Sequence, residues 1–315
     1  MDRARVPHLA APQKVERQPF SDPDFIRASE WLARDRGAPR LIVLGAPFGA
    51  ASISGARCDL APDAIRAVLA KFSVWSSDHA ISVDAVPVWD AGNVEPDGAD
   101  VVATQARIED AVAALLEQAD VPIVVVGGDN SITVGAARGA RADGLLTFDA
   151  HHDCRDPSTR VTNGCPVRQL IDGGLQSIVQ IGIHGFSNSE ANARWASDHK
   201  VHVVPASAVR AGGVARAVAG AMRLLGEATR VWVDVDLDVL DRAFAPGAPA
   251  AMPGGLQPAD LTDAAFLLGS DPRVAGLDLT EVDPETDVTG STVRTAAAVM
   301  LSFAAGIASR AAGKR

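Results

Sequence analysis

Eight short apolar runs, separated by longer segments with helical periodicity, constrain the fold of this chain more than any other feature. Most of these runs do not alternate strictly between apolar and polar residues, which is typical of strands buried on both faces of a parallel sheet. Alternating strands and helices favour βαβ units. The pattern therefore predicts an α/β protein, a three-layer α/β/α sandwich with an eight-stranded parallel sheet. The predicted strands are Leu41–Gly45, Val83–Trp89, Val121–Val126, Leu145–Phe148, Ile178–Ile183, Val201–Val204, Val231–Val235 and Val274–Leu279.

The domain organisation follows from length and from the absence of a linker. A chain of 315 residues has room for two domains, but single α/β domains often reach this size. No Pro/Gly-rich linker or change of composition divides the sequence after its polar start. We expect an N-terminal arm over residues 1–38, with a short helix around Asp24 to Arg36, followed by one domain over residues 39–315.

Charge and cysteine content exclude several classes of function. Lys and Arg total 29 against 39 Asp and Glu, which gives a net charge of −10 and disfavours nucleic-acid binding. Three cysteines form neither a disulfide framework nor a CxxC pair. The N-terminus lacks the apolar core of a signal peptide, and the longest apolar stretch, Ala296 to Ala308, is too short to span a bilayer. These features predict a cytoplasmic protein without a membrane anchor.

Acidic and imidazole side chains follow the predicted strands, where ligands bind in open parallel sheets. The run Leu145–Phe148 is followed by Asp149, His151 and Asp153, whose alternate spacing can direct all three side chains into one cavity. Carboxylate oxygens with one imidazole nitrogen suit Mn²⁺, Fe²⁺ or Zn²⁺ better than Ca²⁺. For this motif alone, a solvated acidic loop remains the alternative.

A second acidic pair, Asp236 and Asp238, lies at the end of another apolar run. Burying such a pair is costly unless a cation or a dense hydrogen-bond network compensates the charge. Asp234, one step earlier on the strand, is better explained as a structural group. Four carboxylates and one histidine suit two divalent ions, roughly 3.5–4 Å apart, that activate a bridging water. The pattern predicts metal-assisted hydrolysis.

Seven stretches of the chain resemble the ureohydrolase (arginase/agmatinase) superfamily, in the order of that family and over residues 41 to 300. The resemblance implies a parallel eight-stranded α/β/α fold, a binuclear manganese site, hydrolytic cleavage of a C–N bond in guanidino or formimino groups, and a homo-oligomer. Residues 39–315 would then be the catalytic domain. The matching stretches are GAPFGAASISGARCDLAPDAIR (45–66), DAGN (90–93), GGDNS (127–131), DAHHD (149–153), DVDLDVLDRAFAPG (234–247), GGL (254–256) and EVDP (281–284).

The resemblance also assigns roles to individual residues. Glu281 occupies the position where the family's carboxylate meets the cationic part of the substrate, and Asp153 and Glu281 would be the catalytic carboxylates. Asn130 stands where the family usually has a histidine ligand, so it would be a weak, uncharged sixth ligand. Asn163 stands where many arginases have a proton-shuttle histidine, a task that an amide cannot perform. The ligands implied are Asn130, Asp149, His151, Asp153, Asp236 and Asp238.

The residues around the metal motif bear on the substrate. Arg155 follows the ligand Asp153 by two positions, and a guanidinium there can bind a carboxylate bidentately. The D-A-H-x-D-x-R pattern and the segment NGCPVRQL (163–170) are most similar to formimidoylglutamases, whose substrate, N-formimino-L-glutamate, has two carboxylates. Asn163 and Ser187 are predicted to contribute to the same pocket. An ion pair of Arg155 with Asp153 or Asp156 is the alternative.

The resemblance therefore implies cleavage of N-formimino-L-glutamate to glutamate and formamide by a metal-bridging hydroxide, in histidine degradation. Two alternatives stay open. One is an agmatinase or guanidino-acid hydrolase that releases urea. The other is a metal-poor relative without turnover, which Asn130 and Asn163 motivate and the five remaining ligand positions oppose.

Overall fold

A nine-stranded sheet forms the centre of the protein in the computed structural model, which describes residues 1–12, 22, 24–34 and 36–312. The strands are β1 (Leu9–Ala10), β2 (Leu41–Gly45), β3 (Trp75–Ser76), β4 (Ile81–Ser82), β5 (Val88–Val94), β6 (Ile123–Val126), β7 (Gly144–Phe148), β8 (Ser177–Ile183), β9 (His202–Pro205), β10 (Val231–Asp236) and β11 (Val274–Thr280). The order in the large sheet is β1-β5-β2-β6-β11-β10-β7-β8-β9, while β3 and β4 form a separate hairpin.

Eight strands of the large sheet are parallel, which confirms the predicted parallel sheet. The ninth, β1, was not predicted. It pairs antiparallel with β5 at the sheet edge, with Leu9 opposite Val94. A two-residue strand is too short to show a periodic pattern in the sequence. Gly92 permits this pairing, because a Cβ atom on it would lie 2.0 Å from the carbonyl oxygen of Ala10.

Strand β5 lies further along the chain than predicted. The segment Val83–Ala85 forms a 3-10 turn, and the strand begins only after Pro87, whose missing N–H suits the start of a strand. It then continues through the polar residues of the DAGN motif. A strand can include these polar groups because the guanidinium of Arg66 binds Asp90, Asn93 and the carbonyl of Gly92.

Helices cover both faces of the sheet, as the three-layer prediction requires. One face carries α1, α2 and α7–α10, and the other carries α3–α6. Side chains along β10 alternate accordingly: Val233 packs in the first layer and Trp232 in the second. The helices are α1 (Ala28–Ala33), α2 (Ala61–Val68), α3 (Val101–Gln118), α4 (Ile132–Gly139), α5 (Pro166–Asp172), α6 (Glu190–Asp198), α7 (Ala206–Gly212), α8 (Val214–Leu224), α9 (Pro258–Ser270) and α10 (Ser291–Ala312).

The two ends of the described chain pack against the core. Helix α1 lies inside the helix predicted around residues 24–36, and its Trp31 is fully buried and donates Nε1–H to the carbonyl of Val86. Residues 13–21, 23 and 35 of the predicted arm lie outside the described residues. Helix α10 is long and apolar enough to cross a membrane, but 72% of its apolar window is buried inside the protein. Its hydropathy is therefore that of a core helix.

Candidate metal centre

Four neighbouring strands, β6, β11, β10 and β7, end at one edge in the middle of the sheet. Because they are parallel, the loops after their carboxyl ends meet at that edge. The loop after β6 carries Asn130, and Glu281 follows β11 directly. The D-x-D pair spans the end of β10, and the D-x-H-x-D motif follows β7. The topology thus brings the predicted ligand positions to one place.

Asp149, His151 and Asp238 form the tightest group. One potential donor atom from each lies within 4.8 Å of the others. His151 Nδ1 is 3.0 Å from Asp238 Oδ2 and 3.5 Å from Asp149 Oδ1. Burial alone would lower the pKa of His151, but the carboxylates of Asp238 and Asp149 raise it to about 12. The imidazole therefore substitutes for a cation between two carboxylates, which is the arrangement expected of metal ligands without their metal.

Asp236 and Asp238 are ordered by the backbone around them. The backbone N–H of Asp238 donates to Asp236 Oδ1 at 2.8 Å, and that of Ala150 donates to Asp238 Oδ1 at 3.2 Å. Burial, followed by repulsion from Asp238, raises the pKa of Asp236 well above its usual value. The second oxygen of Asp149, Oδ2, is fully buried and has no hydrogen-bond partner among the described residues.

The chain offers little positive charge to these carboxylates. Within the described part of the chain, their ion pairs are limited to those with His151, and no Lys or Arg forms a salt bridge with any of them. Burying ionised carboxylates without a counter-charge is costly. The donor set fits a hard or borderline divalent cation. The carboxylates concerned are Asp149, Asp153, Asp236, Asp238 and Glu281.

Asp153 and Asn130 contact each other directly. Asn130 Nδ2 donates to Asp153 Oδ2 at 2.8 Å, while Asn130 Oδ1 accepts a hydrogen bond from Thr133 at 2.9 Å. The amide nitrogen therefore faces the ligand group and the amide oxygen faces away. Coordination through Oδ1, as the sequence predicts, requires rotation of this amide. Asp153 has φ +49°, a conformation that is strained for a residue with a side chain.

Glu281 lies at the end of β11 and is also strained, with φ +57°. Its Oε1 accepts hydrogen bonds from the backbone N–H of Asn130 at 2.8 Å and from Asn163 Nδ2 at 2.9 Å. Burial, followed by the nearby charge of Asp129, raises the pKa of Glu281 to about 8. Positive φ angles at two carboxylates of one cluster require the surrounding structure to hold them in place, as is common at functional sites.

Asn163 acts as a brace. Besides its bond to Glu281, its Oδ1 accepts from the backbone N–H of Ile53 at 3.0 Å, and its own N–H donates to the carbonyl of Ala51. Both ends of the amide are thus used in holding the loop at residues 51–53 against Glu281. The sequence predicts Asn163 as a substrate-binding residue, and in the structure its carboxamide is occupied by Glu281 and Ile53.

Arg155 is exposed at the edge of the cluster, with its side chain packed along Gly164. Neither predicted ion pair forms among the described residues: Asp156 pairs with Arg168 at 3.1 Å, and Asp153 accepts from Asn130. The guanidinium of Arg155 makes no salt bridge or side-chain hydrogen bond there and stays available to a ligand.

Ser187 is half-buried on the loop after β8. Within the described residues, no hydrogen bond joins its side chain to the ligand cluster; its neighbour Asn188 makes that link. Asn188 Oδ1 accepts from the backbone N–H of His152, and its Nδ2 donates to the carbonyl of Ala150, both at 2.8 Å. The preceding Phe186 is fully exposed. The loop is thus anchored to the metal motif by Asn188.

Two further buried acidic features lie near the predicted ligands, and the sequence analysis did not identify Asp129 or Asp278. Asp129 is fully buried and accepts hydrogen bonds from the backbone of Ala51 and from the hydroxyl and backbone of Ser131. Asp234 faces Asp278 across β10 and β11, and Asp278 accepts Nε1–H of Trp232 at 2.7 Å. The sequence predicts Asp234 as a structural group. Its partner Asp278 was missed, although one acidic residue in each of the two apolar runs was an available signal.

The Arginase family model matches residues 39–306, and the chain belongs to the arginase family. Formimidoylglutamase of Halalkalibacterium halodurans is 38% identical over 274 residues, covering 84% of this chain and 86% of that protein. The crystal structure of formimidoylglutamase from Bacillus subtilis matches with a TM-score of 0.87 and 31% identity, covering 94% and 96% of the two chains. Guanidinopropionase of Pseudomonas aeruginosa is 30% identical over 99% of this chain and 96% of that one. These likenesses confirm the predicted family resemblance.

Proposed function

We propose that this chain hydrolyses N-formimino-L-glutamate to L-glutamate and formamide. Water adds to the formimino carbon, and the bond from that carbon to the glutamate nitrogen breaks. The observation that carries the proposal is the buried cluster in which five carboxylates face one imidazole, with the guanidinium of Arg155 making no salt bridge among the described residues. The likeness to proteins named formimidoylglutamase supports this substrate over others of the family.

Two manganese ions are the proposed cofactor. When bound, such a pair lowers the pKa of a shared water and supplies hydroxide at neutral pH. The residues that would hold the ions are Asp149, His151, Asp153, Asp236 and Asp238, with Asn130 as a weaker ligand after rotation of its amide. On binding, His151 gives up the proton that its two carboxylate neighbours now stabilise.

Glu281 is the proposed partner of the cationic formimino group. Its Oε1 is already held by two N–H donors, and its Oε2 has only the thiol of Cys58, 3.9 Å away, as a described partner. An amidinium N–H is a stronger donor than a thiol, so Oε2 is free to accept it. Glu281 would thereby orient the formimino carbon over the cluster.

The leaving nitrogen of glutamate needs a proton, and Asn163 cannot supply one. Asp153 is the proposed carrier, at Oδ2, which accepts a hydrogen bond from Asn130 Nδ2. A carboxylate can accept a proton and return it, which an amide cannot, so Asp153 can carry the proton between bond breaking and product release.

A guanidino-acid hydrolase is the second candidate, favoured by the likeness to guanidinopropionase over nearly the whole chain. Both substrate classes carry a carboxylate for Arg155 and a planar cation for Glu281. They differ in product, since a formimino group gives formamide and a guanidino group gives urea. A cytoplasmic, homo-oligomeric protein that binds neither nucleic acid nor membranes completes the proposal, on the sequence grounds given above.

The test is turnover of the Mn²⁺-loaded protein on N-formimino-L-glutamate, agmatine, 3-guanidinopropionate and 4-guanidinobutyrate, with glutamate, formamide and urea measured separately. Metal content is measured on the same samples. Highest kcat/KM on N-formimino-L-glutamate with equal amounts of glutamate and formamide supports the proposal. Preference for a guanidino acid with release of urea replaces it with the second candidate.

A further inference from the structure

His184 lies beside the metal centre and has no role in the function proposed so far. It follows β8 and is buried, with 7% of its surface exposed. Its backbone N–H donates to the carbonyl of Ala150 at 3.0 Å, within the D-x-H-x-D motif. Asn188 Nδ2 donates to the carbonyls of both Ala150 and His184. The backbone of His184 is therefore fixed to the loop that carries the ligands.

The imidazole ring of His184, unlike its backbone, has an unsatisfied hydrogen-bonding atom among the described residues. Its Nε2 is buried and has no hydrogen-bond partner within the described part of the chain. His152, by contrast, is satisfied inside the fold, with Nδ1 2.8 Å from Gln180 Oε1. Buried polar atoms in native proteins nearly always have a partner, and an exception calls for a water or a ligand. Nε2 of His184 is thus a candidate contact for a bound molecule.

The surroundings of His184 define which side of the site it serves. Electrostatic interactions reach it from Asp238, Arg210 and Asp241, and burial lowers its pKa, so the neutral ring carries one N–H near pH 7. Arg155 has different neighbours, since its backbone N–H donates to the carbonyl of Gly164, next to Asn163. His184 is bonded to the start of the metal-ligand loop at Ala150, whereas Arg155 follows the end of that loop at Asp153.

A substrate with two carboxylates needs two sets of donors when it enters an acidic protein. Arg155 can bind one carboxylate bidentately, and the other loses its water on entry unless a buried donor replaces it. We propose that His184, through Nε2–H, binds the second carboxylate of a dicarboxylic amidine substrate and so selects it over monocarboxylic analogues. This inference rests on the function proposed above.

The experiment removes one carboxylate at a time from the substrate and one donor at a time from the enzyme. The substrates are N-formimino-L-glutamate and the formimino derivatives of 4-aminobutyrate, which lacks the α-carboxylate, and of L-2-aminobutyrate, which lacks the γ-carboxylate. The enzymes, all Mn²⁺-loaded, are wild type, His184→Leu, His184→Gln and Arg155→Ala. His202→Gln, an exposed histidine on β9, is the matched control.

His184→Leu is expected to raise KM for N-formimino-L-glutamate about 10- to 100-fold, with kcat changed far less. One of the two shortened substrates should show no such increase, because it lacks the carboxylate that His184 binds. His184→Gln should restore most of the affinity, since its amide can donate from a similar position. For Arg155→Ala, KM should not rise further when the other carboxylate is removed from the substrate, because the residue that binds it is already absent.

Three results would overturn the inference. An equal loss on all three substrates would make His184 a structural group, and unfolding temperatures measured alongside would show the cause. An unchanged KM for N-formimino-L-glutamate in His184→Leu would remove the contact altogether. A wild-type enzyme that hydrolyses a guanidino acid in place of N-formimino-L-glutamate would overturn the proposed function itself, and this inference with it.

Discussion

Two clusters of charged residues inside this protein differ in how their negative charge is balanced. In the first, which we call the Arg66 cluster, Arg66 is 3% exposed and binds both oxygens of Asp90 at 2.9 Å. It also binds Asn93 and the carbonyl of Gly92. Negative charge is met by positive charge from the same chain, so the cluster is complete without a ligand.

The metal centre is buried at least as deeply, but its five carboxylates outnumber the positive charge that the described part of the chain supplies. Within the described residues its carboxylates have His151 as their ion-pair partner, and one oxygen of Asp149 has no partner. The contrast teaches that burial and acidity alone do not identify a functional site. What distinguishes the two clusters is whether the chain itself supplies the cation.

Asp236→Ala tests the metal centre and should have the largest effect. Loss of a buried ligand should lower turnover by about 10³-fold or more, since metal ions contribute several kcal/mol to the transition state. Mn²⁺ should also stop raising the unfolding temperature, which scanning calorimetry with and without excess Mn²⁺ measures. Metal-free Asp236→Ala should be no less stable than the metal-free wild type, because a repelled carboxylate is gone. Full turnover in this variant would refute the site.

Arg66→Met breaks the other cluster and should give the reverse pattern. It leaves the Asp90 carboxylate, whose side chain is 11% exposed, without its buried cation, so the free energy of unfolding should fall by about 3–5 kcal/mol. Because the defect lies outside the metal centre, Mn²⁺ should raise the unfolding temperature as much as in wild type. Chemical denaturation with and without Mn²⁺ checks both points, with Lys71→Met on the neighbouring surface as a control. A large loss of metal binding would show that the clusters are coupled.

The same contrast explains how far the sequence could predict this protein. Strands such as β10 and β11 were found because each run is apolar apart from a single aspartate, and the predicted carboxylate and imidazole ligands followed from their spacing at the strand ends. Strand β1 was missed because two residues carry no period, and β5 was shifted because Asp90 looks like a loop residue until Arg66 is known to compensate it. Such long-range compensation is not visible in local sequence patterns.

Arg155→Ala tests the edge of the metal centre, where a positive charge is left unpaired. Losing a bidentate pair with a substrate carboxylate should lower kcat/KM for N-formimino-L-glutamate roughly 10²-fold. Metal content should stay that of wild type, because Arg155 is not a ligand. Steady-state kinetics and metal analysis on the same preparation test this. Wild-type kinetics in the variant would leave the guanidinium without a role in substrate binding.

The pH dependence of metal stabilisation follows from the pKa shifts at the centre. Without metal, burial first and then repulsion from Asp238 raise the pKa of Asp149 to about 6, and that of Glu281 reaches about 8. Both groups bind protons more tightly in the folded than in the unfolded chain, so the stability they contribute is lost as pH rises from about 4 to 8. Bound Mn²⁺ displaces the proton of Asp149 and favours the ionised form of the nearby Glu281. The increase in unfolding temperature caused by saturating Mn²⁺ should therefore be larger at pH 8 than at pH 6, and an increase independent of pH would contradict this.

Asn130→His should produce the smallest change and tests the weakest position of the metal centre. The amide now donates its Nδ2–H to Asp153 and must rotate before its oxygen can coordinate, whereas an imidazole nitrogen needs no such exchange. The affinity of the weaker Mn²⁺ site should rise about tenfold, equivalent to about 1.4 kcal/mol, as measured by calorimetric titration. Thr133→Val tests the orientation of the Asn130 amide separately from the change to an imidazole donor. It removes the hydroxyl that holds the amide oxygen away from the cluster. If Thr133→Val also binds Mn²⁺ more tightly, the orientation of the Asn130 amide limits the affinity for Mn²⁺. If Asn130→His leaves the calorimetric titration unchanged, residue 130 is not a ligand.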